Sequence, residues 1–390
     1  TEVRDILESV AENLPDDYDM TELIEILSRY RKHPINLNKT SPEELKTLIF
    51  LSPLQISNFF TYIKENGNLI DVLELQSIDG FDTNTVQSLL PFVTLKTTGE
   101  YEKLTFKNAF SMGESDLLMR FAQTLHTQKG FTDLTGNRYL GSAERFQTRY
   151  RYSYGTIISA GITFEKDAGE KFVGKPFDFF SANIALFKLG RIRKLVAGDY
   201  TLQFGQGLTL WSGFAFGKGP DVTSVAKKDL GLRPYNSTNE FSFLRGVSAT
   251  INLIKNIDIT PFISFRKMDA SQEVDLNGNL VQATISQAGY HRTPSEIRNK
   301  NSLSQQVFGA TVQYTRNDLG IGLIAYQSKY GNSFITQDAA YDKFSFTGNV
   351  LTNIGGFYNY TYKNVYFFGE AGKSLNAGFA YVNGALISLS

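Results

Sequence analysis

Residues 145–154 alternate between two kinds of side chain along their whole length. The even positions are mostly aromatic: Phe146, Thr148, Tyr150, Tyr152 and Tyr154. The odd positions are polar: Arg145, Gln147, Arg149, Arg151 and Ser153. Because successive side chains of a β-strand point to opposite faces, the segment is predicted to be a strand with an aromatic face and an arginine face.

The same period-two pattern recurs along the rest of the chain and predicts about twelve strands. The predicted strands are 115–127, 145–154, 157–166, 178–189, 195–204, 243–254, 257–268, 305–316, 319–329, one that ends at 362, 365–372 and 377–389. Short connections, such as 255–256 and 363–364, alternate with long ones, such as 205–241 and 269–304. Short and long connections therefore fall at opposite ends of an antiparallel sheet.

This rhythm favours a transmembrane β-barrel of the outer membrane over a soluble β-sandwich. A sandwich accounts for one two-faced strand, but it does not predict alternating short turns and long loops. In a barrel the apolar face meets lipid and the polar face meets a wet lumen. We therefore expect a membrane-facing aromatic set and a lumen-lining arginine set: Phe146, Tyr150, Tyr152 and Tyr154, and Arg145, Arg149, Arg151 and Arg266. Because backbone groups lack water partners in hydrocarbon, the sheet is expected to close.

The first hundred residues follow a different pattern. Apolar residues recur at helical spacing, and residues 1–97 hold 2 of the 33 glycines and 8 of the 52 aromatic residues. They carry 16 acidic and 8 basic residues, a net charge of −8, which leaves +8 for the remainder of a chain whose total is zero. We expect a helical domain over 1–97 and a barrel over 98–390, an α+β protein overall.

Residues 35–95 resemble the tandem helix-hairpin-helix domain of the competence DNA receptor ComEA. The resemblance rests on four stretches: INLN at 35–38, SPEEL at 41–45, YIKENG at 62–67 and DVLEL at 71–75. It implies two hairpins, each with a Gly-hydrophobic-Gly turn whose backbone N–H groups approach a phosphate of DNA.

The turns of this chain depart from that motif. The first turn, around Leu51 and Ser52, has no glycine, and the second reads Gly80-Phe81-Asp82, with an acid at the place of the second glycine. Phosphate neutralisation by basic residues dominates DNA affinity, and a net charge of −8 opposes it. The sequence therefore favours a helical module that docks a protein or the barrel, with nucleic acid as the less favoured ligand.

The β-rich part resembles a family of Gram-negative helix-hairpin-helix barrel proteins. The similarity rests on DY at 199–200, FGQGL at 204–208, WSGF at 211–214, LRPY at 232–235, STNE at 237–240 and FLRG at 243–246. It implies an outer-membrane location with the helical domain in the periplasm. It also implies that this chain is one part of a larger barrel.

Other chemistry is weakly supported. The chain contains no cysteine, so disulfides and thiolate metal sites are excluded. The phosphate-loop-like run at 169–175 is followed by Pro176 rather than Ser or Thr, and a strand follows it. His33, His126 and His291 lie far apart in the sequence. We therefore predict no catalytic residue, no metal site and no cofactor, and the protein is not expected to be an enzyme.

The stretch 204–219 is rich in glycine and holds the one tryptophan of the chain. Its simpler interpretation is a strand extension and a loop with an interfacial anchor. The alternative is a loop that folds inward and constricts the lumen, with tight turns at glycine. The residues of that alternative are Gly205, Gly207, Trp211 and Gly213.

Three functions are compatible with these patterns. The first is a channel or transporter of the outer membrane, with lumen arginines that favour anionic solutes. The second is a non-conducting scaffold or complex subunit whose partners, outer-membrane or periplasmic proteins, bind residues 1–97. The third is a component of DNA uptake.

Overall fold

The computed structural model describes residues 20–96, 108, 111–133, 136–172, 177–213, 225–274, 278, 280–316, 318–335, 345–375 and 377–388. The domain boundary predicted at 97/98 lies outside these ranges. So does the part of the glycine-rich stretch that follows Gly213.

The N-terminal part is helical, as its apolar spacing predicts. Its helices are α1 (Met20–Lys32), α2 (Pro42–Leu45), α3 (Pro53–Asn66) and α4 (Thr83–Leu89), with 3-10 helices at Val72–Ser77 and Leu90–Phe92. Two short strands, β1 (Ile35–Asn36) and β2 (Val93–Thr94), pair in parallel. Leu27, Leu48, Leu75 and Phe92 are fully buried in one shared core. Residues 20–95 therefore form one unit, called the helical module below.

The two turns that depart from the helix-hairpin-helix motif, around residues 51–52 and 80–82, are closed by side chains. Ser52 forms a capping box with Gln55 at the start of α3, and Leu51 before it is buried. Gly80 has a φ of +88°, and Asp82 caps α4 by accepting the N–H of Thr85 at 2.8 Å. This hydrogen bond lowers the pKa of Asp82. Both turns thus use their own side chains to satisfy helix N–H groups.

An antiparallel sheet forms the rest of the described chain. Its main path has twelve strands: β3 (Glu114–Gln123), β4 (Glu144–Tyr154), β5 (Ile158–Lys166), β6 (Phe179–Leu189), β7 (Ile192–Gln203), β9 (Leu244–Ile254), β10 (Ile257–Met268), β13 (Leu303–Arg316), β14 (Leu319–Phe334), β15 (Gly348–Tyr362), β16 (Val365–Ser374) and β17 (Phe379–Ile387). Each strand of this path pairs with the next along it. The twelve predicted strands are confirmed, with ends shifted by a few residues at most positions.

Three further strands lie in the long connections and were not predicted. They are β8 (Gly231–Pro234), β11 (Ala270–Val274) and β12 (Leu280–Ile285). Strand β8 pairs with the end of β7, and β11 pairs with β12. Two short helices also lie in long connections, α5 (Lys129–Thr132) and α6 (Pro294–Asn299).

The burial of the two faces is the reverse of that in a water-soluble sheet. Apolar residues on one face are exposed: Val247 by 47%, Ile263 by 42% and Leu323 by 64%. Polar residues on the other face are buried, and Ser248, Ser264 and Thr311 are each at most 1% exposed. The period-two pattern therefore places the apolar face outside and the polar face inside. The space bounded by the polar face is called the lumen below.

The expected closure of the sheet is not found. Within the described residues β3 and β17 are the two ends of the strand path and do not pair with each other. Every residue of β3 is exposed. Side-chain periodicity determines the faces of each strand, whereas closure depends on how the first and last strands meet, which the periodicity does not encode. None of the described helices is long and apolar enough to cross a membrane.

Replacing Ser52 by Ala is expected to loosen the start of α3. The substitution removes the hydroxyl that accepts the N–H of Gln55, a loss of about 1 kcal/mol for a helix cap. Amide hydrogen exchange of the full chain should show faster exchange over residues 53–57. Ser52→Thr keeps the hydroxyl and serves as the control. Equal exchange in the two variants would contradict the capping role.

Candidate functional site: the lumen and the segment that fills it

The connection between β7 and β9 turns into the lumen. We call residues 204–213 and 225–236 the lumen segment. Apolar side chains of the segment and of the end of β7 pack in one buried cluster against inward-facing residues of the sheet. The cluster includes Leu202, Phe204, Leu210, Leu232, Phe262, Val307, Ile324 and Phe357. Phe262, Val307, Ile324 and Phe357 come from the neighbouring strands β10, β13, β14 and β15, so the segment packs against the inner face of that part of the sheet.

A single buried carboxylate on the wall anchors the segment. Glu370 on β16 is 2% exposed. The backbone N–H groups of Gln206, Leu208 and Thr209 donate to its two oxygens at 2.6, 3.1 and 2.7 Å. Hydrogen bonds to a charged group are each worth about 1.5–3 kcal/mol, and a buried carboxylate requires such partners. Glu370 therefore holds the turn at 206–209 against the wall.

The glycines singled out in the sequence shape this turn. Gly205, Gly207 and Gly213 have φ values of +63°, +74° and +86°, which side-chain-bearing residues rarely adopt. A Cβ on Gly205 would also lie 2.7 Å from a carboxylate oxygen of Glu370. Trp211 forms an isolated bridge with Gln203, and the Lys227 ammonium lies 5.1 Å from the centre of its ring. Residues 206–209 thus lie against the inner face of the sheet, next to Glu370.

The strands of the wall carry glycines where the turn approaches them. A Cβ on Gly355 or Gly372 would come within 2.2 or 2.6 Å of the Thr209 hydroxyl oxygen. The Tyr326 hydroxyl donates to the Thr209 carbonyl at 3.0 Å. The two glycines, on adjacent strands, therefore leave room for Thr209, and the Tyr326 hydroxyl holds it by a hydrogen bond.

The four predicted lumen arginines are held by other parts of the chain. Arg145 contacts Glu165 and Asp167. Arg149 is fully buried. Arg151 donates to the Asn236 carbonyl at 2.8 Å, and Arg266 donates to Gln305 and to the carbonyls of Phe241 and Phe243. Arg151 and Arg266 thus tie the wall to the connection that precedes β9.

The predicted membrane-facing aromatic residues differ among themselves. Tyr150 is 40% exposed, and Phe146 and Tyr152 are partly exposed. Tyr154, at the short-turn end of β4, is fully buried rather than exposed. The Tyr150 hydroxyl and the Ser115 hydroxyl of β3 lie 2.9 Å apart, so part of the aromatic face is covered from the neighbouring strand.

The helical module docks on the short-turn end of the sheet. Thr61 of α3 donates to Asp318, in the turn before β14, at 3.1 Å. Ser57, one turn earlier, donates to Thr361 near the end of β15 at 2.7 Å. Leu54 packs in a buried cluster with residues of β16 and β17 and with Ala226 of the lumen segment. Helix α3 therefore lies across the mouth of the lumen.

A buried ion pair links the module to the lumen segment. Lys46 pairs with Asp229, and both side chains are less than 20% exposed. Burial lowers the pKa of Lys46, but the carboxylates of Asp229 and Glu43 outweigh it and raise the pKa overall. Lys228 donates to the Ile49 carbonyl at 2.6 Å. The same segment thus contacts both Glu370 on the wall and the module at the mouth.

A cavity of about 990 Å³ remains between the module and the short-turn end. Its lining mixes both signs of charge, with Lys46, Arg193 and Lys194 on the basic side and Glu43 and Asp258 on the acidic side. Arg193 is itself paired with Asp258 at 3.0 Å. In all, seven lysines or arginines and five acidic residues line the cavity, a small basic excess.

The sequence places no partner near any of the three histidines, but the fold brings partners to His33 and His291. His33 lies 3.1 Å from Glu114, and His126 is exposed in the connection after β3. His291 is buried, and its ring nitrogens contact Asp178 and Asp269. Burial lowers its pKa, but these hydrogen bonds outweigh burial and raise the pKa to about 9. The partners are distant in sequence, so spacing could not reveal them.

Two key residues of the lumen, Glu370 and Asp229, were also missed. A weak signal exists for Glu370, since it is an acid at an inward position of an otherwise apolar and glycine-rich strand. Such a residue is costly unless it is paired inside the fold. No comparable signal marks Asp229.

Comparison with known proteins does not assign this chain to a family. No protein-family model matches it, and no curated protein matches it. Among solved structures, a BenF-like porin from Pseudomonas fluorescens Pf-5 aligns with 68% of this chain and 68% of its own, at 12% identity and a TM-score of 0.19. Pseudomonas aeruginosa OccK2 (OpdF) aligns over 67% of this chain and 64% of its own, at 10% identity and a TM-score of 0.18. Similarity this low leaves the function to be argued from the geometry itself.

Removing the Glu370 carboxylate should free the lumen segment. The native chain has no cysteine, so a Thr209→Cys substitution provides a single labelling site at the anchored turn. We expect slow maleimide labelling in this background and labelling at least tenfold faster after Glu370→Ala, because three buried N–H groups lose their acceptor.

The exposed Ser295→Cys site on α6 is the matched control and should label rapidly with or without Glu370→Ala. Fast labelling at residue 209 with Glu370 intact would show that the turn is not anchored as described.

Proposed function

We propose that the protein is an integral β-barrel of the outer membrane of a Gram-negative bacterium. The observation that carries the proposal is the reversed burial of the sheet: its apolar face is exposed and its polar face is buried. In water an apolar surface that runs along a whole sheet is unfavourable, whereas in a bilayer it is the lipid-facing surface. The short turns would lie in the periplasm, together with the docked helical module.

The further proposal is a transport function with a lumen that is closed at rest. The lumen segment fills the interior, and α3 covers the short-turn mouth. Passage of a solute therefore requires the segment to move. The contacts that would have to break include the three hydrogen bonds to Glu370 and the Lys46–Asp229 pair. They also include the apolar packing of the segment against inward-facing residues of the sheet.

In this proposal the four lumen arginines hold parts of the chain together and do not act as a row of charges that selects anions. Arg151 and Arg266 already donate to backbone carbonyls of the connection before β9. Arg145 is paired with two carboxylates. An anionic solute would have to displace these partners from the arginines. The arginines can therefore attract anions only after the connection before β9 has moved away from them.

A non-conducting scaffold is the second candidate. The observation in its favour is the docking of the module through Ser57, Thr61 and Lys46, which leaves the lumen closed at the mouth as well as inside. In that function the module would present its remaining surface to a periplasmic or outer-membrane partner.

DNA uptake is the least favoured function. The turn that resembles a helix-hairpin-helix motif has Asp82 where a phosphate would approach, and its carboxylate already accepts a helix N–H. A change in the gel mobility of single- or double-stranded DNA when the protein is added at low salt would be evidence for this function.

The membrane assignment predicts that charge is tolerated in loops but not on the outer face. Leu323 on β14 is 64% exposed, and Leu323→Arg should destabilise insertion by about 2–4 kcal/mol, as at a bilayer midplane. Leu125, in the connection after β3, is 95% exposed, and Leu125→Arg should have little effect. Urea titration of folding into liposomes measures both. A Leu323→Arg variant that folds like the native chain, or a native chain that stays monomeric in water without detergent, would contradict the assignment.

The closed-gate proposal predicts conductance only after the anchors are removed. In planar bilayers the native chain should show no steady current, whereas Glu370→Ala and Asp229→Ala should each give openings. Glu273→Ala, at an exposed residue of β11, is the control and should stay closed. A steady current through the native chain would disprove closure at rest. Silence of both anchor variants, when folded and inserted, would favour the scaffold.

A further inference from the structure

The long-loop end of the sheet contains a second polar centre, built from connections that are far apart in sequence. Glu170 and Asp178 lie in the connection between β5 and β6, and Asp269 follows β10. His291 precedes α6. One ligand atom from each of Glu170, Asp178 and His291 lies within 4.8 Å of the other two. This is close enough for a single ion to contact all three.

We propose that Glu170, Asp178 and His291 bind one Zn²⁺ ion, which joins the loops at the long-loop end. One imidazole and two carboxylates form a mixed nitrogen and oxygen set that Zn²⁺ accepts readily. Glu170 and His291 are 1% and 4% exposed, so the site is shielded from bulk water. The three residues come from two separate connections, so an ion between them would link those connections directly.

The second ring nitrogen of His291 supports this assignment. Its Nε2 lies 2.6 Å from a carboxylate oxygen of Asp269. The other carboxylate oxygen of Asp269 accepts the N–H of Asn301 at 2.8 Å, which fixes the carboxylate in place. Nδ1 faces the Asp178 carboxylate and shares a proton with it, so an ion that binds Nδ1 takes the place of that proton. This arrangement is the one that orients metal-bound histidines in general.

The charge of the centre gives an independent reason for a cation. Four carboxyl groups converge on it, from Glu170, Asp178, Asp269 and Glu240, and Lys300 is paired with Asp178. No hydrogen bond or ion pair joins the Glu240 side chain to the residues that the structure describes. The carboxylates of Glu170, Asp178 and Asp269 outnumber the one lysine of the centre, Lys300, so a divalent cation in place of the His291 proton would balance their charge.

Zinc binding by the purified full chain in detergent tests the proposal. Equilibrium dialysis against Zn²⁺ should give one ion per chain. His291→Asn should abolish this binding, and Asp178→Asn should weaken it at least tenfold. Asp269→Asn, which alters only the orienting hydrogen bond, should weaken binding by about 10–100-fold. His126→Asn removes an exposed histidine elsewhere and should leave binding unchanged.

A second readout follows from the position of the ligands. Zn²⁺ should slow proteolysis of the connections at 167–178 and 286–302 in the native chain and in His126→Asn, but not in His291→Asn. Folding of each variant is checked by its heat-modifiable migration, and Asp178→Asn replaces His291→Asn if the latter does not fold. Absence of a bound ion, or equal binding by native and His291→Asn chains, would overturn the proposal. So would a site that prefers Ca²⁺ and is indifferent to His291.

Discussion

The structure depends on one constraint, the reversal of polarity across its sheet. Apolar side chains such as Leu323 lie outside, and polar ones such as Ser264 and Thr311 lie inside. Buried polar groups are costly unless they are hydrogen-bonded, so apolar side chains alone cannot fill the space inside this sheet. It must be filled with water or with chain that supplies donors and acceptors. The lumen segment meets that need, because the N–H groups of its turn satisfy Glu370 and its apolar residues fill the space between the walls.

A consequence of this filling is that the two ends of the lumen are mechanically connected. The segment contacts the wall at Glu370 and the helical module at Lys46. The module in turn contacts the sheet through Ser57 and Thr61. A movement of the module would therefore pull on the same stretch of chain that closes the interior. At the opposite end, the centre around His291 joins the long connections, so polar contacts help to hold both ends of the sheet, together with the apolar cluster around Leu54 at the short-turn end.

Much of the sheet could be predicted from the sequence, and little of the site. The alternation in residues 145–154 and in the hairpins at 244–268 and 303–334 was enough to locate strands and faces. The glycine at 80 and the glycines of the 204–213 turn were also visible, because each is a local backbone requirement. By contrast, β8, β11 and β12 are short and lie in polar connections, where two-residue periodicity is too brief to detect. The burial of Tyr154 depends on its neighbours in the fold, which its own strand does not specify.

What the sequence determined by itself is the period of each strand, the order of short and long connections and the helical character of the first part. These properties depend on residues a few positions apart, since a strand repeats every two residues and a helix every 3.6. Only the tertiary structure decided that, among the described residues, β3 and β17 do not pair with each other. It also decided that residue 370 anchors residue 206, and that residue 291 meets residue 178. Those contacts join residues 164 and 113 positions apart, and no local pattern specifies which distant segments a folded chain brings together.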